Sequence, residues 1–337
     1  MTSTPSSPVA TRPKSFPLAW FIRAAVSVAV LTLLFTIVPI ADVWNEAMRL
    51  PPLLWISGLA LFLAGHAAAA AKWRLLIGAG VSFPQAFQAH LAGLAANLCL
   101  PGLAGGDVVR AGLVARSAED GAQLAMGSIA DRLVDIFGLL VIAIVGAFLS
   151  LRRAQGEYDV LWWLLVASMV ALAVLAPASL GLDRALKKSR REGRIGRLFV
   201  RAVSVTAHLA RQPGRLLLCL AISMAVQATF VGINIAFARA VQLEAPVAAW
   251  FFAWSTAKIV AIAPISMGGL GVREATMAKL LANFGADPAR VIAIGLIWQT
   301  VLYASGLIGA LAQMVWMPHS EKVAAPDPAG AAVERSP

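Results

Sequence analysis

Charged side chains are scarce in this chain, at 13% of its 337 residues, against about 25% in soluble domains. Hydrophobic residues reach 59% and mean hydropathy is +0.78, which excludes an ordinary soluble globule and implies an integral membrane protein. Cysteine is nearly missing. Cys99 and Cys219 both lie in apolar runs, so neither a disulfide framework nor a thiolate zinc site is expected. The four histidines, His66, His90, His208 and His319, are scattered and give no metal spacing. There is no Gly-x4-Gly-Lys-Ser/Thr loop to hold ATP, no Gly-x-Ser-x-Gly elbow and no His-Glu-x-x-His pair. Gly268-Gly269-x-Gly271 follows no strand and is not a dinucleotide fingerprint. These absences leave no cofactor, no metal and no catalytic constellation, and the chain is not expected to be an enzyme.

What is present is a series of apolar runs separated by basic loops. The net charge of +11 would suggest nucleic acid in a soluble protein. Here it gathers between apolar runs, where it sets orientation and contact with anionic lipid, so nucleic acid is not an expected partner. Residues 182–215 form the main hydrophilic loop, with ten Lys/Arg against Asp183 and Glu192, and are placed on the cytoplasmic side. Arg194 to His208 has helical spacing and fits a membrane-surface segment. The tails, residues 1–15 and 318–337, read as disordered, which leaves a membrane domain over 16–317.

The apolar runs cover about 17–40, 52–71, 84–100, 123–151, 160–181, 216–238, 247–263 and 289–316. Lys72, Trp73 and Arg74 close the second run at an interface. Complete crossing by every run conflicts with a cytoplasmic location for both the amino-terminal tail and the basic loop. The conflict disappears if residues 84–117 and 247–283 are re-entrant hairpins from opposite sides; a plain eight-span arrangement is the alternative. The expected fold is all-α: a polytopic membrane helical bundle with two Gly/Pro-broken, re-entrant helical hairpins in an inverted-repeat arrangement. Both termini then face the cytoplasm, in a bacterial inner (cell) membrane.

The two hairpins carry matched breaks. Pro101-x3-Gly105-Gly106-x3-Arg110 and Pro264-x3-Gly268-Gly269-x3-Arg273 have the same spacing, and each follows an apolar run. Proline removes a backbone donor and glycine weakens a helix by about 1 kcal/mol relative to alanine, so both helices should break there. A helix starting after each Gly-Gly presents free N–H groups that attract an anion. The arginine one turn on offers a fork that fits phosphate oxygens. The candidate headgroup site is therefore Arg110, Arg273, Glu274, Gly268, Gly269, Gly271, Gly105 and Gly106, with Asn97 beside the first break and Lys258 before the second. The alternative is local neutralisation of Arg110 by Asp107 and of Arg273 by Glu274.

Asp131 and Asp135 share one helical face, with Arg132 turned away. Carboxylates in a membrane helix cost roughly 2.5–3.5 kcal/mol each and so face a cavity or a partner. One is expected to pair with an arginine of the break, the other to protonate during transport; a purely internal Asp131/Arg132/Asp135 cluster is the alternative. Lys258 is a headgroup contact, a counter-ion for either aspartate, or a snorkelling residue. Gln227, Asn234 and Gln299 are ranked as ordinary interhelical hydrogen-bonding residues.

Lys72-Trp73-Arg74, Asn97-x2-Leu100-Pro101-Gly102-x2-Gly105-Gly106-Asp107-x2-Arg110, Asp131-Arg132-x2-Asp135 and Pro264-x3-Gly268-Gly269-x-Gly271-x-Arg273-Glu274-Ala275 together resemble the lysylphosphatidylglycerol synthase transmembrane-region family, a flippase-like module. Asp107 stands where similar proteins commonly have glutamate. The resemblance implies translocation of an anionic phospholipid or lipid-linked intermediate between leaflets. The implied partners are membrane lipids with anionic headgroups and a lipid-modifying enzyme of the same pathway. Two-part family members carry a following aminoacyl-transferase domain; residues 318–337 hold none, so lysine transfer is not expected. A membrane-embedded enzyme subunit or an accessory scaffold acting on a lipid-phosphate substrate is the alternative.

Overall fold

The computed structural model describes residues 32, 40–78, 80–99, 104–115, 117–118, 121–151, 211–262 and 269–323. The runs expected to span at 17–40 and 160–181, the basic loop except its last residues, and the breaks at 100–103 and 263–268 lie outside the described residues, apart from residues 32 and 40. The described secondary structure is helical: α1 (Ile40–Arg49), α2 (Pro52–Ile77), α3 (Phe83–Cys99), α4 (Ala104–Val114), α5 (Gly121–Leu151), α6 (Pro213–Ala240), α7 (Val247–Val260), α8 (Val272–Ala282) and α9 (Pro288–Val323). Four of them are long and apolar enough to cross a bilayer: Pro52–Ile77, Gln123–Ser150, Pro213–Ala240 and Pro288–Trp316. The chain is a polytopic helical membrane bundle.

Local chemistry explains the helix starts and stops. Proline occupies the first turn of α2 and α6, where its missing N–H costs nothing. The carboxylate of Asp287 accepts the Ala289 N–H at 3.0 Å and caps the start of α9. The apolar span of α9 ends at Trp316, as expected, but the helix itself runs on to Val323, into the first residues of the tail read as disordered. Helix α1 was not foreseen; its buried Glu46 pairs with Arg290 of α9 at 3.4 Å.

Helix α2 packs antiparallel to α5 and to α6, and these contacts fix two ends of the bundle. Gly58 and Gly65 of α2 pack on Phe237 and Phe230 of α6. The carboxy-terminal end of α2 meets the amino-terminal end of α5, where Trp73 Nε1 donates to Ser128 Oγ at 3.1 Å. Helix α3 leaves and α4 returns at this same end. Their antiparallel pairing runs from Gln85–Ser117 at 3.3 Å through His90–Arg110 to Asn97, whose Oδ1 accepts the Gly106 N–H at 3.0 Å. Helices α7 and α8 form a second pair, which opens at the opposite end, between the carboxy terminus of α6 and the start of α9.

Both pairs approach the middle of α9. Leu98, near the tip of the first, lies against Gly306; Arg273, near the tip of the second, bonds Gln299 at 3.1 Å. Seven residues separate Gly306 from Gln299, about 10 Å along the axis and on nearly the same face. The arms of 17, 11, 14 and 11 residues are each shorter than the roughly 30 Å hydrocarbon core at 1.5 Å per residue.

Helices α5 and α7 touch through Gly146, where a Cβ would fall 2.6 Å from the Phe252 nitrogen. Close approach of backbones at small residues is how membrane helices gain packing energy. Gly146→Leu is therefore expected to lower stability by about 1–3 kcal/mol through overpacking. Gly232→Ala, at a position with open space, should leave it unchanged or raise it. Thermal unfolding of the purified protein in detergent separates the two.

Candidate functional site

Charged side chains buried in an apolar bundle must be compensated, and here six charged residues, with Lys72, Arg110 and Asp131 buried among them, pair in sequence. Lys72 of α2 contacts both Asp135 and Asp131 of α5, the latter at 3.0 Å. Asp131 also accepts from Arg110 Nη2 of α4 at 2.9 Å. Arg110 lies 3.5 Å from Asp107, and Asp107 takes two N–H donors from Arg132 of α5. The result is an alternating chain, Asp135–Lys72–Asp131–Arg110–Asp107–Arg132, with three cations and three carboxylates. Ser223 of α6 donates to Asp135 at 2.6 Å and ties a fourth element to it.

Lys72 and Asp131 are almost fully buried, at 1% and 2% exposure. Lys72 was expected at an interface. Instead α3, α4 and α5 close over the end of α2, and the ammonium is an interior hub. Trp73, also buried, lies beneath the Arg110 guanidinium at 4.3 Å from its ring centre, a cation–π contact that adds to the carboxylate pairing.

The chain borders a cavity of about 110 Å³. Its walls are His66, Ala69 and Lys72 of α2, His90 and Arg110 of the first helix pair, Asp131, Arg132 and Asp135 of α5, Ser223, Val226, Gln227 and Phe230 of α6, and Lys258 of α7. His90 faces Arg110 Nη1 at 3.0 Å from Nε2. An arginine only donates, so this ring nitrogen is the acceptor and the imidazole is neutral. Lys258 differs from the other cations. Its ammonium donates to Gln227 Oε1 at 3.0 Å and lies 5.6 Å from the Phe230 ring centre, with no ion-pair partner among the described residues. Of the three roles open to Lys258 in the sequence, direct pairing with Asp131 or Asp135 is not made. Both helix pairs thus give the cavity a cation, Arg110 from one and Lys258 from the other.

Arg273 and Glu274 do not line this cavity. Glu274 is fully buried; its Oε2 accepts the Gly271 N–H at 2.8 Å and its Oε1 accepts Arg273 Nε at 3.0 Å. The positive φ of Gly269 and Gly271, 79° and 81°, suits a turn that only glycine enters without strain. Gln299 supplies Arg273 with its second acceptor. Ring contacts from Phe230 through Trp298 to Trp254, at 5.7 and 5.1 Å between centres, stand between the cavity and Arg273, which is 5.9 Å from Trp254. Gly106 and Asn97 hold the first pair together by the bond given above, and Gly105 lies in the first turn of α4. Gly268 is outside the described residues.

Sequence reasoning missed Lys72, His66, His90 and Ser223 as wall residues and ranked Gln227 low. The histidines were judged only as metal ligands, although a neutral imidazole is also a fitting acceptor for an intramembrane arginine. Among the described residues no group of three or more His, Cys, Asp or Glu is arranged to hold a metal ion.

A bundle of long apolar helices with a charged cavity between them defines, as a class, a polytopic helical membrane protein. Residues 20–309 match the family described as lysylphosphatidylglycerol synthase TM region, and the chain belongs to that family. No curated protein matches it.

Removing one partner from a buried ion network leaves the others uncompensated and costs about 3–5 kcal/mol. Asp131→Asn strips Lys72 and Arg110 of a shared carboxylate and is expected to fall in that range. Arg132→Gln, at a half-exposed guanidinium, should cost no more than about 1 kcal/mol. Unfolding midpoints of the two variants in one detergent test the ranking.

Proposed function

We propose that the chain carries an anionic phospholipid or lipid-linked intermediate between leaflets, with the headgroup in the cavity and the acyl chains in the bilayer, and that it acts as a carrier and not as an enzyme. One observation carries this reading. The six-residue charge chain is neutral in sum, and Lys258 adds one positive charge to the same cavity with no carboxylate against it among the described residues. A lipid phosphate supplies the missing negative charge. Lys258 offers it a point charge, while the Nε of Arg110, buried without an acceptor, offers a further N–H.

Family membership supports a role at membrane lipids. The disposition of the helix pairs supports movement. With the basic loop before α6 in the cytoplasm, the α3–α4 pair opens to the cytoplasmic side and the α7–α8 pair to the outer side. Each acts as a re-entrant hairpin with its tip near mid-bilayer. A cavity shared by two oppositely directed hairpins meets either leaflet when one hairpin rocks against the other, the alternating access of inverted-repeat carriers. This orientation also places both termini in the cytoplasm, in a bacterial cell membrane.

Lys258→Met keeps the apolar stem and removes the charge. Loss of a charged hydrogen bond worth about 1.5–3 kcal/mol should slow translocation of a fluorescent anionic phospholipid in proteoliposomes by about 10- to 100-fold. Reconstitution and unfolding midpoint should be preserved. Translocation at the unmodified rate contradicts the headgroup role of the cavity.

A further inference from the structure

Resting on the carrier reading, we propose that the crevice between α4 and α5 is the lateral portal by which a lipid phosphate reaches the cavity. The Asp107–Arg132 pair is its latch, and Arg132 is the first residue to take the phosphate. Nothing in the family match assigns these roles.

Three features of the crevice lead here. First, Arg132 belongs to two environments at once. It lines the cavity, yet its side chain is 47% exposed and its partner Asp107 is 24% exposed, whereas Arg110 and Asp131 behind them are 6% and 3% exposed. Passing inward from Arg132 therefore goes from accessible to buried charge within one turn of each helix.

Second, α4 is joined to α5 by a crossed pair of ionic contacts, Asp107–Arg132 outside and Arg110–Asp131 inside. Helix α4 has a largely open outer face, with Val108 70% and Leu113 46% exposed, so the arm can move outward without displacing a packed neighbour on that face. Its tight contacts lie on α3 instead, where a Cβ on Gly106 would fall 2.6 Å from the Gly93 carbonyl oxygen.

Third, the geometry at Arg132 leaves room for exchange. Asp107 engages the guanidinium along one edge, through Nε and Nη2. The Nη1 of Arg132 has no hydrogen-bond partner among the described residues, which leaves that edge for an incoming anion. A guanidinium fork accepts a phosphate in the same two-point manner as a carboxylate, so a phosphate displaces Asp107 by replacing like with like. Asp107, once released, repels the phosphate and stays near Arg110 at the inner end of the crevice. The half-exposed outer pair is the weaker of the two, because solvent and headgroup screening reduce its strength while the buried pair keeps its own. Opening then breaks the outer contact first.

The experiment reads the portal apart from transport. Ala69 lines the cavity and makes none of the polar contacts described. Ala69→Cys, in a full-length background with Cys99→Ser and Cys219→Ala, reports cavity access by its rate of modification with a small polar maleimide in detergent. Adding Asp107→Asn unlatches the crevice and should raise that rate about two- to fivefold, the factor that loss of an exposed ion pair gives. In vesicles of phosphatidylglycerol and phosphatidylcholine, Asp107→Asn should translocate phosphatidylglycerol faster than the parent. Arg132→Gln should raise labelling but slow translocation, since it unlatches the portal and removes the first phosphate contact. A purely structural ion pair predicts lower translocation in both variants and the same modest change in labelling from both.

Raised labelling in Asp107→Asn together with slower transport in Arg132→Gln establishes the latch. Unchanged labelling in a variant that still folds and translocates overturns the portal and leaves the carrier reading standing. Raised labelling in a protein that moves no lipid in any form supports the latch and counts against the carrier reading alone.

Discussion

The alternating chain from Asp135 through Lys72, Asp131, Arg110 and Asp107 to Arg132 is the constraint on which the rest of the bundle depends. In a medium that cannot solvate ions, six charges are tolerable only if each faces its opposite, and the residues that do so come from α2, α4 and α5. The chain therefore dictates that the first hairpin returns against α5 and that the end of α2 lies beneath it. Deleting any inner member removes a contact from two neighbours at once, which makes the network cooperative in a way that separate pairs are not. It also sets the chemistry of the cavity, since a wall that is neutral in sum lets one further lysine fix the sign of what it admits.

The two breaks are alike in sequence and unlike in chemistry. Arg110 reaches out to α3 and α5, while Arg273 folds back onto the next residue, Glu274, and is completed by Gln299. The second hairpin gives the cavity Lys258, on its first arm, in place of the arginine at its break. A repeat of spacing reports neither a repeat of backbone nor a repeat of partners. Gly105 and Gly106 lie inside the first turn of α4, whereas Gly269 has a positive φ of 79° and precedes α8, and partners depend on which helix packs alongside.

That distinction explains how much was legible in the sequence. The apolar runs around α2, α5, α6 and α9 follow from local rules of hydropathy, and those helices lie where the rules put them; the helix expected to start after Gly105-Gly106 instead starts at Ala104 and includes both glycines. The need for Asp131 and Asp135 to find cations is equally local, since a carboxylate in hydrocarbon demands one. Which cation each finds is not local. Asp107 bonds Arg132 from another helix rather than relying on Arg110 one turn away, and Lys72 is interior because the hairpin packs over what reads as the end of a span. Helix α1 went unseen because it is short and, over its whole length, no more apolar than polar; Glu46, paired with Arg290, ties it inward. The neutral His90 carried no signal until an arginine was placed against it.

The central claim is that Lys258 and Arg110 hold a lipid phosphate inside the bundle. An experimental density map of the protein in nanodiscs containing an anionic phospholipid tests it most directly. The account predicts a phosphate within hydrogen-bonding distance of the Lys258 ammonium and beside Arg110, its acyl chains leaving between helices. A cavity filled only by water, with ordered phosphates confined to the outer surface of the helices, would contradict it.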